Sequence, residues 1–275
     1  MHWQTSRFRI DLTRPRVMGI VNVTPDSFSD GGLYARAGDA IAHCERLLAE
    51  GADMLDIGGE STRPGARTPD ADEELARVRP VLAHAVTLGV PVSVDTSSPA
   101  VMRAALDLGA DIVNDVRALQ RPGAVEAVAA HPAAGVCLMH MLGEPGTMQQ
   151  SPQYGDVVAE VRDFLGARCA VLRAAGIADG RIVVDPGIGF GKTVAHNLAL
   201  LRRQHELLAL GRPLLVGWSR KSTLGAVTGR AAGERLAASV AAALMAVERG
   251  ARIVRVHDVA ATADALRLWQ AVGEG

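Results

Sequence analysis

The chain has 275 residues, a formal charge of −1 and a pI near 6.7, so it lacks the basic footprint of a nucleic-acid binder and any anion must be held by a local cluster. No apolar run approaches the roughly 20 residues of a membrane span and the start carries no secretory signal, which reads as a soluble cytoplasmic protein with no membrane partner. Cys44, Cys137 and Cys169 form neither a C-x-x-C pair nor an even disulfide set, and read as reduced, buried thiols.

The first candidate element is a short strand over Phe8–Leu12, expected to cap the floor of a barrel built by the rest of the chain. From there, short β-branched runs alternate with amphipathic stretches of helical length. A strand over Val17–Val23 precedes a helix over Asp39–Glu50; Met54–Gly58 precedes Ala71–Leu88; Pro91–Asp95 precedes Pro99–Leu108; Asp111–Asp115 precedes Gly123–Ala130. The second half continues with Gly135–His140 and Asp156–Ala175, then Arg181–Asp185 and Ala195–Leu210. It closes with Pro213–Ser219 and Glu234–Arg249, then Arg252–Val256 and Ala261–Ala271. Gly51, Gly89, Gly109, Gly176, Gly211 and Gly250 stand where these helices stop, and supply the left-handed residue a helix end favours. Units of about 34 residues, undivided by any linker or charge run, predict an α/β chain closed as a (β/α)8 TIM barrel. The barrel is expected to be a single domain over 1–275, with the short N-terminal strand as its one addition.

Polar residues collect at the ends of the predicted strands: Asn22, Asp56, Asp95, Asn114, Asp115, His140, Asp185, Ser219 to Lys221, and Arg255 to Asp258. In this architecture the strand ends and the loops after them build the site, and a ring of such residues around one mouth exceeds what helix capping asks for. Two loops at the mouth, VTPDSFSDGG from Val23 and GGESTRPGA from Gly58, are long and rich in Gly, Pro and Ser, and read as lids. Other chemistries lose support. A P-loop over Asp185–Thr193 would need glycine where Pro186 stands, and neither a dinucleotide fingerprint, a serine-hydrolase elbow nor zinc spacing occurs.

The motifs fall in a telling order. They are MGIVNVTPDSFSDGG from Met18, DIGGESTRPGA from Asp56, SVDTS from Ser93, VNDVRAL from Val113, LMHM from Leu138, DPGIGFGKT from Asp185, GWSRKSTLG from Gly217 and RVHDV from Arg255. Together they resemble the dihydropteroate synthase family over nearly the whole chain. Departures are small: Trp218 precedes the Ser-Arg-Lys run, Leu142 replaces a commonly polar residue and Gly146 stands where a lysine is common.

The resemblance implies a transferase of folate biosynthesis that joins a dihydropterin pyrophosphate to 4-aminobenzoate and releases pyrophosphate. By resemblance Asp185 accepts the two adjacent N–H groups of the pterin, Asn114 and Asp95 meet the same ring, and Lys221 donates to its carbonyl and neighbouring nitrogen. Arg255 and His257 match the family's anion site, with Thr62 and Arg63 as partners on the second loop. Asn22 matches its Mg²⁺ ligand; one amide oxygen suffices where the ion keeps waters and takes substrate phosphate oxygens. For the second substrate, Ser222 at a helix start is expected to hold the carboxylate. Phe28, Pro64, Phe190 and the stem of Lys221 are expected to sandwich the ring. Asp95, Lys221, Arg255 and His257 are the candidate catalytic residues.

A homodimer is expected by resemblance, with the Ala-rich helix Glu234–Arg249 as a candidate contact face. Roles for Asp56, Asp115 and His140 stay open. Two rival readings are a pterin-binding methyltransferase barrel that passes a methyl group to a corrinoid, and a catalytically silent paralogue.

Overall fold

The computed structural model describes residues 1–24, 33–60, 67–144 and 146–273, with the backbone alone for 33–36. Two short strands, β1 (His2–Gln4) and β2 (Arg9–Asp11), pair antiparallel. The alternating series begins with β3 (Arg16–Asn22), α1 (Leu33–Ala49), β4 (Met54–Gly58), α2 (Ala71–Ala85), β5 (Val92–Asp95), α3 (Pro99–Asp107), β6 (Ile112–Asp115) and α4 (Ala124–Ala129). It continues as β7 (Gly135–Met139), α5 (Val157–Ala174), β8 (Ile182–Asp185), α6 (Val194–Arg202), β9 (Leu214–Val216), α7 (Ser222–Thr228), α8 (Leu236–Glu248), β10 (Ala251–Val256) and α9 (Val259–Gly273). Strands β3 to β10 run parallel and close in chain order, β10 pairing with β3, which is the expected TIM barrel.

Alternation along each strand decides what faces inward. Met18, Met54, Ile112, Cys137, Val183, Leu215 and Ile253 form one apolar floor with Trp3, Ile10 and Leu12. Residues of opposite parity, such as Val17, Leu55, Ile57, Val113, Leu138, Val184 and Val254, join the larger core beneath the helices. Two residues beyond the floor along their strands stand Asp56, Asn114, Asp185 and Arg255, and two further on stand Asn22 and His257. The same parity that places the floor therefore turns these polar groups inward, one layer higher.

Several boundaries differ from the sequence reading, each for a local reason. The segment Phe8–Leu12 supplies only half of an N-terminal hairpin. Its partner β1 carries the fully buried Trp3, whose Nε1 donates to the Arg181 carbonyl at 2.8 Å. The hairpin turn is clipped to the barrel by Arg7, which donates to both oxygens of buried Asp111 at 3.0 and 2.7 Å. Ala195–Leu210 is not one helix: α6 stops at Arg202 and Gln204–Leu210 tightens to a 3-10 turn. Buried Gln204 pulls that turn toward the end of α8, donating to the carbonyls of Ala246 and Arg249 at 2.7 and 3.2 Å. Helix α1 starts at Leu33 rather than at 39, α8 starts at Leu236 after a separate turn at Ala232–Glu234, and α7 is additional. Strand β9 is shorter than Pro213–Ser219, because the chain turns at Arg220, a non-glycine residue with φ of 59°.

Other readings agree. The six glycines expected at helix ends all take positive φ. The structure adds two caps that the sequence reading did not name, Asp70 on α2 and Asp156 on α5. All three cysteines are free and buried. Among the described residues, no helix is long and apolar enough to cross a membrane.

Trp3 seals the floor at the end opposite the polar layer, so its removal should cost stability and spare the chemistry. Trp3→Ala is expected to lose about 3–5 kcal/mol, seen as a lower urea midpoint, with kcat/KM per folded molecule unchanged. An unchanged midpoint would show that the hairpin is an ornament of the barrel.

Candidate active site

Above the floor, Arg255 from β10 reaches across the barrel to two carboxylates. Its Nε donates to Asp56 Oδ2 at 2.6 Å and its Nη2 to Asp95 Oδ2 at 2.7 Å. Asn114 Nδ2 donates to the same Asp56 oxygen at 3.0 Å, while the buried Asp56 Oδ1 has no partner among the described residues. Arg255 Nη1 and Asn114 Oδ1 also make no hydrogen bond among the described residues, so a ligand meets one strong donor and one neutral acceptor here. Burial pushes the Asp95 carboxyl above its ordinary range, the Arg255 charge opposes this, and the carboxylates of Asp56, Glu60 and Asp115 add to the rise. Burial also works against the Arg255 charge, but Asp56 and Asp95 overcome it and hold that pKa above its ordinary value. Breaking such a buried cluster from one side costs about 3–5 kcal/mol, so its members are structural as well as functional.

Asp185 ends β8, nearly buried, with Oδ1 accepting from Gly187 N at 2.7 Å. Burial pushes it up to about 6, against the pull of that hydrogen bond and of Lys221, Arg255 and Lys192. The tight turn requires glycine. Gly187 has φ of +68°, and a Cβ there would stand 1.9 Å from the His140 carbonyl oxygen. Burial pulls the facing Lys221 down to about 8. Its Nζ lies 4.1 Å from the centroid of the Phe190 ring, so the ammonium covers that face.

On the rim, Ser219 Oγ accepts from the His257 backbone N–H at 3.2 Å and lies 3.0 Å from His257 Nδ1. The hydroxyl can donate to Nδ1 or accept from it, and donation would put the imidazole proton on Nε2. Burial first, then Arg255 and Arg220, pull His257 down to about 3, making it a neutral donor. Asn22, half-buried at the end of β3, pairs in register with Gly58 and makes no side-chain hydrogen bond among the described residues. Ser222 is the exposed first residue of α7, directly after Lys221. Phe28, Thr62, Arg63 and Pro64 lie outside the described residues.

Asp95, Asn114, Asp185, Lys221, Phe190, Arg255 and His257 thus share the mouth formed by β5 to β10. Two roles left open now have physical content. Asp56 anchors Arg255, and Asp115 accepts from Ser97 Oγ and from the backbone N–H groups of Arg117 and Leu119, which makes it a turn former. Lys192 drew no attention in the sequence because the failed P-loop match made its lysine look incidental. It proves to be 3% exposed beneath the Asp185 loop.

Residues 18–257 match the family described as pterin binding enzyme. The dihydropteroate synthase of Neisseria meningitidis serogroup B is 59% identical over 277 residues, covering 98% of this chain and 97% of that protein. Among solved structures, the Burkholderia cenocepacia dihydropteroate synthase complexed with 7,8-dihydropteroate is similar with a TM-score of 0.91 at 56% identity, covering 99% of this chain and 96% of that one. The Xanthomonas albilineans dihydropteroate synthase with 4-aminobenzoic acid has a TM-score of 0.91 at 54% identity, covering 96% and 95%. Barrel, inward-facing polar layer and relatives agree, and the chain belongs to the pterin-binding enzyme family, among its dihydropteroate synthases.

Proposed function

We propose that the mouth of this barrel joins (7,8-dihydropterin-6-yl)methyl diphosphate to 4-aminobenzoate, giving 7,8-dihydropteroate and pyrophosphate. The observation that carries this reading is the inward ring of Asp56, Asp95, Asn114, Asp185, Lys221 and Arg255, which offers acceptors to ring N–H groups and cations to a ring carbonyl and an anionic leaving group. Asp185 accepts the two pterin N–H donors, Asn114 supplies its free oxygen, and Lys221 donates to the carbonyl edge. Phe190, under the Lys221 ammonium, walls the side where the second ring arrives, with Phe28 and Pro64 opposite and Ser222 toward the aminobenzoate carboxylate.

In the reaction the methylene C–O bond breaks and its electron pair leaves with pyrophosphate. The arylamine lone pair then forms the C–N bond, and the proton it sheds passes to the departing pyrophosphate or to water. Arg255 Nη1 and His257 Nε2–H donate to the departing oxygens with Arg63 and Thr62, while the Asp95 carboxylate faces the positive charge left on the ring. An arylamine is neutral at physiological pH, so the scheme needs no strong base. Bringing the two rings together supplies much of the remaining acceleration.

Mg²⁺ fits this donor set as an ion that comes with the diphosphate. Asn22 presents one uncommitted amide at a strand end, and no group of three His, Cys, Asp or Glu among the described residues forms a cage of its own. When bound, the ion supplies positive charge to phosphate oxygens. The same reading places a homodimer in the cytoplasm, each chain a single domain, with exposed Leu236 and Met245 of α8 supporting that helix as the contact face.

Complementation of a strain lacking its synthase tests the activity directly; no growth without added folate product, from a soluble folded protein, would overturn it. For the pterin site, Asp185→Asn keeps size but turns an acceptor into a donor facing donors. Pterin affinity measured by calorimetry is expected to fall at least tenfold, and equal affinity would remove Asp185 from the pocket. The pH dependence comes from the two facing charges. Asp185 is ionised above about 6 and Lys221 stays protonated below about 8, so pterin affinity should peak between these values. It should decline on the acid side as Asp185 takes a proton and on the alkaline side as Lys221 loses one. A flat profile from about pH 5 to 9 would show that neither charge contacts the ring.

A further inference from the structure

Lys192 is a buried lysine with no part in the proposed reaction. It closes the loop that begins at Asp185, and its Nζ lies within hydrogen-bonding distance of four groups. It donates to the carbonyl oxygens of Gly187 at 2.9 Å, Phe190 at 3.0 Å and His140 at 3.2 Å, and lies 2.9 Å from His140 Nδ1. No carboxylate lies within ion-pair distance of it among the described residues. Three of the four partners are carbonyl oxygens, which only accept, so the cage suits an ammonium; burial pulls Lys192 down to about 7 against the pull of Asp185, which leaves it charged on the acid side of that value. His140 then receives through Nδ1 and keeps its own proton on Nε2. Further ties brace the same segment: Tyr154 Oη donates to the Gly191 carbonyl at 2.8 Å, and Gly189 N donates to Asn197 Oδ1 at 2.9 Å.

We infer that Lys192 is a positioning residue of the pterin site, an internal cation that gathers the carbonyls of residues 140, 187 and 190 so that Asp185 and Phe190 face the pocket from a single loop conformation. Two of its carbonyl partners lie between Asp185 and Lys192, and the third belongs to the neighbouring strand end that packs against Gly187. The cation therefore ties the loop both to itself and to β7. Its charge has a second effect, since it lies near enough to Asp185 to favour the carboxylate over the acid. The other groups facing Asp185 are Lys221 after β9 and Arg255 on β10, both favouring ionisation. Just past β7 stands His140, held neutral by burial, and on β7 Cys137, whose thiol burial keeps protonated. Lys192 thus adds to a positive field that Asp185 needs in order to accept two N–H donors below pH 7.

The inference rests on the pterin reading of the site, and the test separates the two. In Lys192→Met, pterin affinity at pH 7 is expected to fall more than tenfold, whereas pyrophosphate binding with Mg²⁺, on the rim away from this loop, should change less than twofold. The acid limb of the pterin profile should also move upward, because Asp185 loses a neighbouring cation. A purely structural loss would weaken both ligands alike and leave the limb in place, and that result would overturn the proposal. Tyr154→Phe, which loosens the same loop without removing charge, should leave the limb where it is; an equal shift would count against a role for the cation. A second readout needs no variant. Nitrogen-resolved NMR of His140 in the wild-type enzyme should show the neutral Nε2–H tautomer at pH 6, and an Nδ1–H tautomer, donating to a neutral amine, would overturn the ammonium cage. Failure of the wild-type enzyme to bind pterin at all would sink the functional reading while leaving the NMR test of the cage intact.

Discussion

Three charged groups with little access to water have to satisfy one another, and the interior of this barrel is organised around that demand. Arg255 joins β10 to Asp56 on β4 and Asp95 on β5, so one guanidinium spans strands that pair through β3 and through each other. Its fork geometry uses Nε and Nη2 for the carboxylates and leaves Nη1 for a ligand. The amide of Asn114 is turned by the same Asp56 oxygen, which commits its N–H to the protein and its oxygen to the pocket. The ligand-facing set is thus fixed before any ligand arrives. Reorganisation avoided in this way is a large part of what a preorganised site contributes to catalysis.

The barrel was legible because its signals are local and repeated. β-branched runs, helix-ending glycines and the inner–outer alternation each act over a few residues, and the eight units reinforce one another. Asp185, Asn114 and Arg255 were legible for the same reason, since a polar residue two positions beyond an apolar floor residue has no face but the inner one; Asp95 follows buried Ser93 at the same spacing. What sequence could not show is long range. Trp3 finds its partner at Arg181, Gln204 at Ala246 and Arg7 at Asp111, and no pattern near any of them records the other. Such contacts reset element boundaries, splitting the helix expected over Ala195–Leu210 and pairing the expected floor strand with an unforeseen one.

Inside the site, the residues that were overlooked or left without a role are those whose partners are backbone. Lys192 and Asp115 hold carbonyls and amides rather than substrate-like groups, so motif chemistry is silent about them. His257 shows the complementary limit. The sequence invites a cation beside a pyrophosphate site, yet burial and the neighbouring Arg255 keep it neutral, with Ser219 Oγ beside its Nδ1. Residue type alone carries neither protonation state nor tautomer; those belong to the surroundings.

The barrel wall is not equally laced all the way round. β3 and β4 share five registered pairs, whereas β8 and β9 share one, Val184 with Leu214. Asp185 stands at the end of β8 and Lys221 comes after β9, so the sparse seam runs up between the two groups assigned to opposite edges of one flat ring. On the proposed function, a pterin lying across them would serve as a rung the polypeptide omits, completing the wall with atoms that are not its own. The closed cylinder is in that sense least tied along this seam, and the proposed first substrate would be its fastener. Tightness of the wall would then become a property of the loaded enzyme, with resistance to breathing at this seam rising with ligand concentration in the way mass action requires.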